Sequence, residues 1–303
     1  MGTPDNHAAT RPARRGYGEI VDISIGLPNT LPHPGPLMIE WARRAEERGF
    51  TSLATIDRIV YPNFDTLVSL STAAGATSRI GLFSAVLLAP LYPPVWLAKA
   101  AASLDAISGG RLTLGVAVGG REDDYAAVGR DPRTRGAAMD EALGIMRRVW
   151  AGEKLGDDAH PVAPPPGPGG VRLMIGGNSD AAVRRTVEHG RGWVAGGGPP
   201  ESAAPMIARI RQAWQDAGRE GEPRFAALAY FGLGDEDTSR ASLRSYYGFL
   251  GDWVENIVAG ALRTPEAIRD AVKRFQDVGV HEVIFDPTVP SLAQVDRLAD
   301  VVS

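Results

Sequence analysis

Cysteine is absent from the chain, so it can build no disulfide framework, no thiolate metal site and no cysteine nucleophile. Histidine is scarce, and His7, His33, His160, His189 and His281 are too scattered to form a metal-binding pair such as His-x-His. That argues against a metal-dependent hydrolase. No apolar run reaches the ~20 residues that a membrane-spanning helix requires. A formal net charge of -4 offers no broad basic field, which speaks against nucleic acid as a partner. Residues 1–18, MGTPDNHAATRPARRGYG, carry basic side chains but no following apolar core. They read as a disordered lead-in to a single domain over residues 19–303, with the cytoplasm as the expected location.

What is present is an ordinary globular balance, 44% hydrophobic and 22% charged, in a chain of 303 residues that can bury one large core. Short apolar runs alternate with helical patterns, which is how parallel strands joined by crossover helices appear in sequence. VDISIGL (21–27) precedes a helix over 35–50 with Leu37, Trp41 and Ala45 on one face. SLATID (52–57), IGLFSAVLL (80–88) and RLTLGVAV (111–118) follow, each trailed by a helical stretch; Leu143, Met146 and Trp150 mark a face of the helix over 135–152. The proline- and glycine-rich segment 153–170 then crosses without regular structure. Beyond it, VRLMIGG, GWVAG, RFAALAYFGLG and HEVIFDP complete eight strand–helix units, with one helical region over about 238–277. Eight is the number that closes a (β/α)8 TIM barrel. An open doubly wound sheet is the competing α/β fold, but no Gly-x-Gly-x-x-Gly follows the first strand.

In such a barrel, function gathers where strands end. IGGNSDAAVRR (175–185) places Gly176, Gly177, Asn178 and Ser179 between a strand and a helix. Free amides at the helix start favour a phosphate there, while Ser179 or Asp180 reads equally as a simple helix cap. Gly196 and Gly197 end the next strand, and a second glycine cluster beside the first strengthens the phosphate reading. The run after the fourth strand, with Arg121 and Glu122, is either a solvated helix start or a pair leaning over the barrel mouth. Asp57 and Arg58 at the end of the second strand, with Tyr61 nearby, are either a loop anchor or part of the site. Ser84, Ala85 and Val86 are small enough to admit a flat ligand, or simply pack closely. His33, in a loop after the first strand, reads as incidental.

LAKAAASLDAISGGRLTLGVAVGGREDDYAAVG (97–129) and IGGNSDAAVRRTVEHGRGWV resemble the two signature regions of the bacterial luciferase-like monooxygenases, the flavin- and deazaflavin-dependent oxidoreductases. The resemblance runs from about residue 21 to the end of the chain. It implies a (β/α)8 barrel that binds reduced FMN or the deazaflavin coenzyme F420. It further implies a phosphate held by Gly176, Gly177, Asn178, Ser179, Gly196 and Gly197, and a flavin ring over Ser84, Ala85 and Val86, where the family often has a cis peptide. Two departures matter. Many deazaflavin relatives carry Asp-His where this chain has Asp57-Arg58, and the sugar-phosphate dehydrogenases among them carry glutamate where it has Gly120. Arginine stays protonated and cannot serve as a base. The resemblance therefore implies a monooxygenase acting on a small organic substrate with reduced FMN and oxygen, with Asp57, Arg58, Arg121 and Glu122 as catalytic candidates. The alternatives are a deazaflavin-dependent reductase or dehydrogenase, and a flavin-binding barrel without catalysis. A separate flavin reductase and a homodimer are the expected partners.

Overall fold

A computed structural model describes residues 21–157, 160–167 and 169–303. The lead-in at 1–18 lies outside the described residues. Eight parallel strands close on themselves in sequence order: β1 (Asp22–Gly26), β2 (Ser52–Thr55), β3 (Gly81–Leu87), β4 (Leu112–Val116), β5 (Arg172–Gly176), β6 (Gly192–Ala195), β7 (Arg224–Phe231) and β8 (Glu282–Pro287). Around them lie α1 (Pro36–Glu47), α2 (Thr66–Ala76), α3 (Pro94–Ile107), α4 (Glu122–Ala127), α5 (Arg135–Trp150), α6 (Asp180–His189) and α7 (Ala204–Asp216). The ring is completed by α8 (Glu236–Tyr247), α9 (Val254–Gly260), α10 (Pro265–Asp277) and α11 (Ala293–Val302).

Strand alternation divides the core into two layers. Leu53, Leu82, Leu114, Ile175, Trp193, Phe225 and Phe285 point outward into the helix layer with Trp41, Ala45, Leu143 and Met146. Ala54, Phe83, Ala85, Met174, Val194, Ala226 and Ile284 point inward and fill the barrel. A barrel of eight strands is wide enough for side chains to fill, so its interior is solid and chemistry is confined to the ends. The lower end is sealed by charge. Glu282 accepts from Ser24 and from Arg224 at 2.7 Å, and Arg224 also reaches Asp22 at 3.2 Å.

Helix starts follow local chemistry. Asp65 caps α2 through Val68 N, Ser179 caps α6 through Ala182 N, and Thr264 caps α10 through Ala267 N. On α1 the buried stripe is Met38, Trp41, Ala42 and Ala45, with Leu37 at its edge. The single helical region read over 238–277 is instead three helices: a turn over Gly248–Trp253 separates α8 from α9, with Gly251 at φ 57°, and Pro265 starts α10. Among its described residues, segment 153–170 holds neither helix nor strand, and it is pinned where Gly167 N donates to Asp105 Oδ2 at 2.8 Å. Among the described residues no helix is long and apolar enough to cross a membrane.

Candidate active site

The upper, C-terminal ends of the strands hold all the candidate residues, but they divide into two regions. The first is the glycine cradle. β5 ends at Gly176, and Gly177 turns the chain at φ 103°, a left-handed conformation that side chains rarely adopt. Trp193 on β6 fixes that turn by donating its indole N–H to Gly177 O at 2.7 Å. Ser179 then caps α6, so its hydroxyl is engaged with Ala182 N at 3.2 Å, while Gly177, Asn178, Ser179, Gly196 and Gly197 are exposed. A side chain at Gly196 would meet open space. Backbone amides at an exposed helix start beside a second glycine-rich end fit a phosphate group. Gly176 lies against Val86 and Ala117, and the Ala85–Val86 peptide is cis. The exposed glycine ends fit the phosphate of a flavin or deazaflavin cofactor, which Gly176, Gly177, Asn178, Ser179, Gly196 and Gly197 would hold, with Ala85 and Val86 on the neighbouring strand end.

Ser84 takes no part in this surface. It is fully buried and donates to Gly115 O at 2.9 Å, tying β3 to β4. The expectation that it faces a ligand is corrected by its being on the same strand parity as Leu82, away from the barrel interior.

The second region is a ring of polar and aromatic groups. Asp57 is buried; its carboxylate accepts from Leu88 N at 2.9 Å and from Tyr92 OH at 2.9 Å. Desolvation outweighs these hydrogen bonds and raises its pKa to about 6. Arg58 is also buried, and it is clamped rather than free. Its Nε lies 3.0 Å from Asp124, and its Nη2 donates to Val60 O at 2.8 Å and reaches Asp123 at 3.2 Å. Asp124 in turn accepts from Ile59 N and Val60 N, so Arg58 and Asp124 lock the β2 loop onto α4. The loop-anchor reading of Arg58 is the one its contacts describe, although its Nη1 is buried without a hydrogen-bond partner.

Arg121 donates to Tyr246 O at 2.8 Å, with its guanidinium 3.6 Å from the ring centre of Phe249 and 4.9 Å from that of Tyr246. Glu122, by contrast, is exposed and opens α4, as an acid does at a solvated helix start. That position matches the solvated helix start, and among the described residues no contact of Glu122 ties it to the ring. His33 stacks on Phe64 at 4.9 Å, outside this ring. Sequence reasoning missed Tyr92, Tyr230, Tyr246, Tyr247 and Asp286. Tyr230 and Tyr247 share a hydrogen bond of 2.5 Å between their hydroxyls. Asp286 was legible only through strand parity, since Glu282, Ile284 and Asp286 share the inward face.

A closed (β/α)8 barrel with a glycine-rich turn on β5 and β6 and a buried acid at the end of β2 is the architecture on which the family match rests. The chain belongs to the luciferase-like monooxygenase family, whose model matches residues 28–281. An uncharacterised protein of Mycobacterium tuberculosis (strain ATCC 25618 / H37Rv) is 29% identical over 209 residues, covering 60% of this chain and 72% of its own. Among solved structures, an F420-dependent secondary alcohol dehydrogenase in complex with an F420-acetone adduct superposes with a TM-score of 0.77 at 18% identity, over 94% of this chain and 98% of its own. Monooxygenase RslO1 from Streptomyces bottropensis gives 0.72 at 20% identity, over 92% and 97%.

Proposed function

We propose that the protein is a monooxygenase that uses reduced FMN and oxygen on a small organic substrate. The observation that carries this reading is the state of Arg58. A permanently charged arginine, spent on Asp124, Asp123 and Val60, follows Asp57 where the family resemblance implies a histidine in deazaflavin-dependent relatives. The residues that would hold FMN are Gly176, Gly177, Asn178 and Ser179 with Gly196 and Gly197 for the phosphate, and Ala85 and Val86 beneath the ring. When bound and reduced, the flavin supplies the electrons for oxygen chemistry. The chain's own part is orientation and exclusion of water: Tyr246, Tyr247 and Phe249 roof the mouth, and Arg121 holds that roof in place. Reduced flavin would come from a separate reductase, because no nicotinamide fingerprint follows the first strand.

A second reading, a deazaflavin-dependent reductase or dehydrogenase, has one observation in its favour. Asp57, with its pKa raised to about 6, is itself a titratable group at the end of β2 and near the pH where proton transfer is efficient. Titration of the purified protein with FMN, reduced FMN and coenzyme F420 decides between them, followed by turnover under isotopically labelled oxygen. Preferential binding of reduced FMN and a product carrying labelled oxygen are expected. Tight binding of the deazaflavin alone, with its reduction by an alcohol, would overturn the monooxygenase reading.

A further inference from the structure

Asp286 is the last inward-facing residue of β8 before the mouth, and the functional reading above leaves it without a task. Its carboxyl is buried and its Oδ1 has no hydrogen-bond partner. The position is built to receive it, because a methyl group on Gly26 of β1 would collide with that oxygen. Beside it lies a cavity of about 10 Å³ whose walls include Thr30, Leu31, Ile56, Leu243, Tyr246 and Pro287, room for one oxygen-sized group. Two of the neighbouring hydroxyls are already engaged, Thr288 with Phe231 O at 2.8 Å and Ser239 at 2.7 Å, and Tyr230 with Tyr247, while those of Thr30, Ser242 and Tyr246 share the cavity wall without bonding the carboxyl. A buried polar group is normally paired, and the space beside this one admits a single oxygen, whether of water or of a ligand.

The surroundings decide what that partner is. The titratable groups facing Asp286 are Tyr230 on β7, with Tyr246 and Tyr247 at the end of α8. Arg58 and Arg121 both lie over the ring of Tyr246, at 5.7 and 4.9 Å. An ammonium ligand would enter beside two fixed positive charges, whereas an uncharged acceptor would not. Burial raises the Asp286 carboxyl well above the ordinary carboxylate range, which leaves it a proton to donate.

We propose that Asp286 positions the substrate by donating its carboxyl O–H to the carbonyl oxygen of a ketone, ester or amide. The proposal rests on the mouth being the substrate site, but not on which flavin is bound. The probe is cyclohexanone labelled with carbon-13 at the carbonyl, observed by NMR without any flavin, with cyclohexylamine as comparison. The wild type is expected to bind the ketone with a downfield carbonyl shift and in preference to the amine. Asp286→Asn, which keeps a donor, should retain the shift, and Asp286→Leu should lose it together with on the order of tenfold in affinity. Ketone binding that is absent, weaker than amine binding, or unaltered in Asp286→Leu would overturn the proposal. Should Asp286→Leu not fold, the pH profile decides. Ketone binding should fall as pH rises in the wild type and stay level in Asp286→Asn, and identical profiles would refute the role. Because no flavin is present, failure here leaves the cofactor titration untouched, and failure of that titration leaves this result standing.

Discussion

Asp57 and Arg58 are sequence neighbours with opposite fates, and each makes a prediction. Asp57 is a carboxylate whose folded pKa is raised from 3.8 to about 6 by burial. The folded state therefore holds its proton more tightly than the unfolded chain does. The resulting stabilisation is fully present below pH 3.8 and is lost as pH rises to about 6, a change of about 3 kcal/mol across that window. Asp57→Asn removes the titration, so its denaturation midpoint relative to wild type should rise between about pH 4 and about pH 7. A difference that is constant with pH would refute the assigned shift. Arg58 and Asp124 are a buried ion pair, with side chains 4% and 1% exposed. Removing one partner leaves the other charged and dry, so Arg58→Met should cost about 3 kcal/mol by denaturant unfolding. Adding Asp124→Asn to that variant, which removes the charge but keeps an acceptor for Ile59 N and Val60 N, should recover part of the loss. Sequence alone showed the two charges side by side but not their partners, because Asp124 lies 66 positions beyond Arg58 and only the pairing of β2 and β4 with β3 brings the loops after them together.

At the level of elements, the joint between β5 and α6 was the most legible feature, since glycine, asparagine and serine between an apolar run and a helix each have a local reason to be there. The strands were legible to within a few residues for the same reason: VDISIGL contains Asp22–Gly26, and HEVIFDP contains Glu282–Pro287. The α8–α9 insertion was not, because its tyrosines look like any amphipathic helix until the barrel beneath them is known. A functional test follows for the joint. Ser179→Glu places a carboxylate where the phosphate is read to sit, and should weaken FMN by on the order of tenfold. Riboflavin, which has no phosphate, should bind unchanged. The melting temperature should move little, since the acid is favoured at a helix start while the serine cap is lost. Equal FMN affinity in the variant would remove the phosphate from this turn.

Across the whole molecule, the outer surface carries a groove between α2 and α3, lined in part by Val68, Trp96 and Ile107. These three side chains are 62, 52 and 80% exposed, and exposed large apolar side chains are where the homodimer implied by the family resemblance would form. A second copy of the chain is the expected occupant. Sedimentation should give a dimer for the wild type and a monomer for Ile107→Glu; a monomeric wild type would refute it. The groove escaped the sequence reading because Val68 and Ile107 sit on helices whose inner faces are apolar too. At the open end of the barrel, Arg121 reaches from the end of β4 to the carbonyl of Tyr246 and the face of Phe249 beyond β7. In mechanical terms it is a strut across a hoop. The hoop is packed solid and keeps its own shape, so what the strut holds is the rim, with Tyr246 and Phe249 tied to the end of β4. Loss of Arg121 would release that side of the opening while leaving the hoop intact.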